Sequence, residues 1–220
     1  MDTVVFDVDG TLVDTNYHHT IAWSRALSRF DVFPPLWRVH RAIGMGGDRL
    51  VAAVAGQQVE DRFGDSIRDA WRKEYEPLLV EVRPFDSAAT LLRSVRDQGL
   101  TVVLASSGPA QHVEHYVDLL DARDVASHWT TAEDAEESKP APDLVEIAMS
   151  KVGADTSVLV GDSTWDIEAA HRAGIPSYAV RTGGYSAAEL EEAGARHVYD
   201  SLSELDDRFR ADVTAMDETR

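Results

Sequence analysis

The chain has 220 residues, enough to bury a full core as one large domain or as a core with a smaller insert. Its 44% hydrophobic and 27% charged content is that of a folded globular protein, and with no cysteine it can have no disulfide, thiolate nucleophile or cysteine-ligated zinc. A formal charge of −18 argues against nucleic acid or an anionic membrane as the main partner.

The first apolar run, Val4–Val8, reads as a buried strand. It starts almost at once, because MDTVVFD has neither the basic start nor the apolar stretch of a signal peptide. No run approaches the roughly 20 apolar residues of a membrane helix. A cytoplasmic location is expected, as a monomer or homodimer. Residues 16–81 then show no strand pattern. They carry helical patterns at Thr20–Phe30 and Ser66–Tyr75, a Pro34-Pro35 break and a glycine-rich turn, Gly44-Met45-Gly46-Gly47. Trp23, Trp37 and Trp71 are expected in the core of this segment.

After Val82-Arg83-Pro84-Phe85 the pattern alternates. Ser87–Gln98 reads as a helix with Leu91, Leu92 and Val95 on one face, stopped by Gly99. Leu100–Ala105 reads as a strand, and Pro109–Leu120 as a helix with Val113, Val117 and Leu120 at helical spacing. The acidic run Glu133–Glu137 reads as a solvated face, as does the polar C-terminus. Between them come a helix at Asp143–Val152, a strand at Val158–Val160, a helix at Asp166–Ala173 and a strand at Tyr178–Val180. These strands lack polar alternation, as parallel strands covered on both faces do. The fold class is therefore α/β: a doubly wound, Rossmann-like parallel-sheet core of residues 1–15 and 82–220, with a helical cap domain inserted at 16–81.

Ligands of such sheets bind at the carboxyl ends of the strands. The first strand ends in Asp7 and Asp9, two positions apart and so on one side of it. The second ends in Ser106-Ser107-Gly108, a loop supplies Lys139, and a later strand runs into Gly161-Asp162 with Asp166 four residues on. Two carboxylates at close range are unfavourable unless something positive lies between them. An oxygen-rich set without His or Cys favours a hard cation, Mg²⁺ above all. A phosphoryl group is the natural further partner of Mg²⁺, a lysine and serine hydroxyls. The chain has three lysines against 18 arginines, so one at this position is the more telling.

At these residues the sequence resembles the haloacid dehalogenase superfamily of phosphohydrolases. Four stretches match its motifs in order: Asp7-Val8-Asp9-Gly10-Thr11, an apolar strand into Ser106, Lys139, and Gly161-Asp162 with Asp166. The helical insert falls where that family places its cap, so the likeness covers nearly the whole chain. The resemblance implies that Asp7 is a nucleophile forming an aspartyl-phosphate. It implies that Asp9 is general acid and then base, with its backbone carbonyl on the metal. Asp162 would complete the Mg²⁺ set with Asp7, and Asp166 would support it directly, through water, or as a plain helix cap. Ser106 and Ser107 would hold phosphoryl oxygens, unless Ser106 merely caps the next helix. Lys139 would neutralise the phosphoryl group and Asp7 together.

The substrate is expected to be a small phosphorylated metabolite, phosphoglycolate or a sugar phosphate. Arg49, beside the glycine-rich turn, and His19 are the candidate cap residues, with surface pairing of Arg49 and hinge packing of His19 as alternatives. The chain is also similar to the β-phosphoglucomutase-like branch, but Thr11 and Gly161 depart from the mutases and favour a hydrolase. A metal-free dehalogenase would lack Asp9. A phospho-receiver would be about half as long, and a non-catalytic phosphate-binding protein would not need the nucleophile and acid/base pair.

Overall fold

A computed structural model describes the backbone of residues 1–217 and the side chains of residues 1–209. In chain order, β1 (Thr3–Asp7) is followed by α1 (Asn16–Ser28), α2 (Leu36–Ala42), α3 (Gly47–Ala55) and α4 (Gln57–Tyr75). Then come α5 (Ala88–Asp97), β2 (Thr101–Ala105), α6 (Ala110–Leu119), β3 (His128–Thr130), α7 (Asp143–Val152) and β4 (Ser157–Gly161). The chain closes with α8 (Thr164–Arg172), β5 (Ser177–Val180), α9 (Ala187–Ala193), β6 (Val198–Tyr199) and α10 (Leu202–Asp217). It divides into two compact units, Met1–Asp14 with Pro84–Arg220, and Thr15–Arg83.

The larger unit is a six-stranded sheet in the order β3-β2-β1-β4-β5-β6, parallel throughout. Its central strands are apolar on both faces. Val4, Val5, Phe6, Val102, Val103, Leu104, Leu159 and Val160 are all fully buried. On one side Val5, Val103 and Leu159 pack on Val145 and Ala148 of α7 and Ala169 and Ala170 of α8. The doubly wound α/β class read from the sequence is the class observed.

Register sets the site. Asp7 lies opposite Ala105, and Phe6 opposite Val160, so the first residues past β1, β2 and β4 emerge on one edge of the sheet. Beyond β1 the chain turns tightly, with Gly10 N–H donating to Val13 O at 2.8 Å. Gly10 takes φ 81°, a left-handed conformation that a side chain would strain.

Two strands escaped the sequence pattern. β3 and β6 are three and two residues long and sit at the sheet edges, too short for an apolar run to form. The polar C-terminus is not simply a solvated face. It holds α10, whose Leu202, Leu205 and Phe209 are buried, with Phe209 edge-on to Tyr178 at 6.0 Å. The acidic run is exposed as expected, but it also has structural work. The Glu133 carboxylate accepts the Ala110 N–H at 3.0 Å at the start of α6, and Asp134 accepts the Thr131 N–H at 2.9 Å.

The smaller unit is helical, with only an isolated bridge between Ile43 and Met45. Its core gathers Trp23, Leu27, Val39, Leu50, Val51, Ile67, Trp71 and Tyr75. α4 begins at Gln57 rather than near Ser66. The polar stretch with Gly64 hid its first half, although Arg68 crosses Gly64 to pair with both oxygens of Glu60 at 2.9 and 3.1 Å. Trp37 departs from expectation. It is 70% exposed, because the short α2 turns Val39, His40 and Ala42 inward and leaves the residues after Pro35 outward.

Candidate active site

Asp7 closes β1 and is 4% exposed. Two side chains, Lys139 and Thr11, contact it. Lys139 Nζ, itself buried, donates to Asp7 Oδ1 and, at 2.6 Å, to Asp166 Oδ1. Thr11 Oγ1 lies 2.8 Å from Asp7 Oδ2 and 2.9 Å from Asp162 Oδ1. Asp9, half-buried, is held by Ser106, whose hydroxyl donates to Asp9 Oδ2 at 2.9 Å and accepts the Gly108 N–H at 3.0 Å. Ser106 therefore does not cap α6, whose N-cap residue is Pro109. Ser107 follows, half-buried, in the same turn.

Asp166 is positioned by local sequence. Ser163 is the N-cap of α8 and Asp166 its third residue, and the two form a reciprocal capping box. Asp166 Oδ2 accepts from Ser163 Oγ at 2.5 Å and from its N–H at 3.1 Å, which turns Oδ1 toward Lys139. One residue thus serves both as a helix cap and as a lysine anchor.

The electrostatics follow from this crowding. A hydroxyl carries one hydrogen, so Thr11 can donate to only one of its two carboxyl neighbours at a time. The second contact needs a proton on a carboxyl group. Burial, and then the charge of Asp166, push Asp7 up to about 7 against the pull of Lys139. Burial works against the Lys139 ammonium, but Asp166 and Asp7 outweigh it and hold its pKa above the ordinary lysine value. Lys139 stays charged, and the cluster keeps a surplus of negative charge.

That surplus suits a cation. Asp7, Asp162 and Asp166 are all buried, and each places a carboxylate oxygen within 4.8 Å of the others. A dry, all-oxygen, net-negative set fits a hard divalent ion such as Mg²⁺.

The family model described as haloacid dehalogenase-like hydrolase matches residues 4–180, from the first strand through the fifth. The chain belongs to this family. The N-acetylmuramic acid 6-phosphate phosphatase of Pseudomonas aeruginosa is 30% identical to it over 188 residues, covering 83% of each chain. The phosphoglycolate phosphatase of Rhodospirillum rubrum is 29% identical, covering 93% of this chain and 89% of its own. Among solved structures, a hydrolase from Pseudomonas syringae superposes with a TM-score of 0.90 at 29% identity, covering 96% and 99% of the two chains. The chain is thus an enzyme, a haloacid dehalogenase-like hydrolase of phosphoric monoesters.

Of the residues singled out in the sequence, Asp7, Asp9, Ser106, Lys139, Asp162 and Asp166 meet on one sheet edge. His19 and Arg49 belong to the helical unit. His19 is buried there, its ring stacked on Tyr75 at 4.0 Å and on Trp71 at 5.6 Å. Trp71 in turn stacks on Trp23 at 5.0 Å. Arg49, its side chain 38% exposed, follows Asp48 with the charged groups 3.9 Å apart. Thr11, Ser163 and Gly183, whose backbone lies against the Asp162 side chain, escaped as site residues. Thr11 sits four residues after Asp7 and Ser163 three before Asp166, spacings that permit contact without announcing it. Gly183 had one readable signal, a glycine pair just past a strand at the ligand-binding edge.

Proposed function

We propose that the enzyme is a Mg²⁺-dependent phosphatase of a small phosphorylated metabolite, of the phosphoglycolate or sugar-phosphate type, working through an aspartyl-phosphate on Asp7. The observation that carries this reading is the pairing of two carboxylates with different surroundings. Asp7 is buried against Lys139 and Thr11, while Asp9, two residues on, is half-buried and steered by Ser106. Different surroundings suit different jobs.

A carboxylate oxygen of Asp7 attacks phosphorus, and the bond to the leaving oxygen breaks as Asp9 gives that oxygen its proton. Asp9, now ionised, takes a proton from water, which attacks the aspartyl-phosphate and releases inorganic phosphate with Asp7 restored. The Ser106 hydroxyl donates to Oδ2 of Asp9 and so steers the carboxyl group that makes both transfers. Lys139 offsets charge on Asp7 and on the phosphoryl oxygens, anchored from behind by Asp166. Mg²⁺, held by the side chains of Asp7 and Asp162 and the carbonyl of Asp9, would polarise the phosphoryl group. Asp166 acts mainly through its neighbours, since Lys139 and Ser163 engage both its oxygens. Ser107, next to Ser106 in the turn after β2, would offer its hydroxyl to the phosphoryl oxygens.

Hydrolysis rather than phosphoryl shuttling is favoured by Thr11 and Gly161 and by relatives named as phosphatases. The two relatives act on small metabolites, one a sugar acid and one a two-carbon acid by name. Residues 15–83 act as the cap that selects the leaving group, with Arg49 meeting an anionic or hydroxylated part of it and His19 packing near the hinge. The test is a panel of phosphorylated metabolites assayed with Mg²⁺ and with EDTA, alongside Asp7→Asn. Phosphate release that needs Mg²⁺ and vanishes in the variant is expected; unchanged release by Asp7→Asn would sink the mechanism.

A further inference from the structure

Gly183 sits in the turn between β5 and α9, after a strand that brings none of the motif residues to the site. Its neighbour Gly184 needs to be glycine for its backbone, at φ 84°, but Gly183 is not among the glycines of positive φ. Its backbone conformation is open to any residue, so the reason for glycine lies in space. A Cβ built on Gly183 falls 1.6 Å from Asp162 Oδ2, 2.5 Å from its Cγ and 2.8 Å from its Cβ. Rotating the carboxylate cannot clear that overlap, because the Asp162 Cβ is itself too close. Asp162 is 2% exposed and has no solvent to retreat into.

The opposite side of the same carboxylate is also held. Thr11 Oγ1 lies 2.9 Å from Asp162 Oδ1 and ties it to Asp7 Oδ2 at 2.8 Å. Asp162 is therefore clamped between a hydroxyl on the β1 turn and a bare backbone on the β5 turn. We propose that Gly183 and Thr11 are positioning residues for the metal carboxylate, Gly183 by keeping the space that Asp162 fills and Thr11 by setting its distance from Asp7. The inference rests on the reading of Asp162 as a cation ligand. Its consequence is specific: the β5 turn tunes cation affinity without touching the cation. Partners that orient a ligand commonly carry about 10–100-fold of metal affinity.

The test uses Mn²⁺ as a spectroscopic stand-in, with free Mn²⁺ counted by electron paramagnetic resonance and Mg²⁺ added as competitor. The full chain is used, without substrate. The wild type is expected to bind Mn²⁺ and to release it to Mg²⁺, whereas Gly183→Ala loses at least about tenfold in affinity. Thr11→Val is expected to weaken binding similarly, while Thr11→Ser, which keeps the hydroxyl, stays within about threefold of wild type. This pair decides the matter if Gly183→Ala fails to fold by circular dichroism. A wild type that binds no Mn²⁺ removes the cation reading and this inference with it. A wild type that binds, beside a folded Gly183→Ala or a Thr11→Val of equal affinity, overturns the positioning roles and leaves the cation reading standing.

Discussion

Lys139→Met asks how much the buried charge network contributes to the fold. Lys139 is 1% exposed and is the shared cation of Asp7 and Asp166. Methionine keeps much of the stem volume and removes only the charge. Taking one partner from a buried pair costs about 3–5 kcal/mol, because the remaining charge is left uncompensated. For a chain of this size each kcal/mol moves the midpoint by about 2–4 °C, so a loss of roughly 6–20 °C is expected near neutral pH. The pH dependence identifies the cause. Lys139 has a folded pKa above its unfolded one, so its own contribution is fully present below about pH 10 and does not vary between about pH 5 and 8. The Asp7 carboxyl does vary. Asp7 is already raised to about 7, and without the lysine it rises further. Asp7 takes up a proton in acid, so the deficit should be smaller near pH 5 than near pH 8, by up to about 1.4 kcal/mol, because pH 8 lies only about one unit above the wild-type value of about 7. Thermal melts without added metal at both pH values, wild type beside variant, measure it. A variant within about 2 °C of wild type at the higher pH, or a deficit equal at both, would refute the argument.

The raised value of Asp7 makes a second prediction. Its folded pKa exceeds the unfolded one, so relative to Asp7→Asn the metal-free wild type should lose stability as pH climbs from about 4 through about 7, and saturating Mg²⁺ should reverse the trend. Paired melts across that range check it, and parallel curves would count against it. Phe209→Ala, at a side chain 1% exposed, should cost about 3–5 kcal/mol in a urea titration. A change under about 0.5 kcal/mol would return the C-terminal helix to the solvated face its composition suggests. Trp37→Ala should leave the unfolding free energy from a urea titration almost unchanged, because Trp37 is 70% exposed, whereas Trp71→Ala, at 8%, should lower it by about 3–5 kcal/mol. Equal losses would show that the exposure of Trp37 has been misread.

How much of this could be read in advance depended on length and on partners. β1, β2, β4 and β5 are four or five residues of nearly unbroken apolar sequence, and a parallel sheet leaves few other ways to bury them. Once they are aligned, Asp7, Ser106 and Asp162 must emerge together, so the heart of the site followed from the strand pattern. β3 and β6 did not, because an edge strand of two or three residues carries no periodicity. α10 was hidden differently: the polar residues among Leu202, Leu205 and Phe209 lowered its average while its spacing still marked a buried face. The role of Thr11 was out of reach for another reason. A threonine four residues after Asp7 is an ordinary helical or turn spacing, and only the fold reveals that its hydroxyl also meets a carboxylate 151 positions away.

The same arithmetic of charge links folding to function. Asp7 and Asp166 share one lysine, with Asp162 beside them, in a site where every one of these side chains is buried. Folding alone would favour replacing one carboxylate with an apolar group, since buried ionic clusters seldom beat well-packed hydrophobic ones. The fold keeps them and supplies neutral supports instead: the Thr11 hydroxyl, the Ser163 capping box and the bare backbone of Gly183. None of these cancels charge; each fixes where a carboxylate points. A site so arranged is electrostatically incomplete by itself and geometrically ready. In the proposed reading a cation would supply positive charge to the carboxylates, so the local instability of the cluster and its fitness for phosphoryl chemistry have one cause.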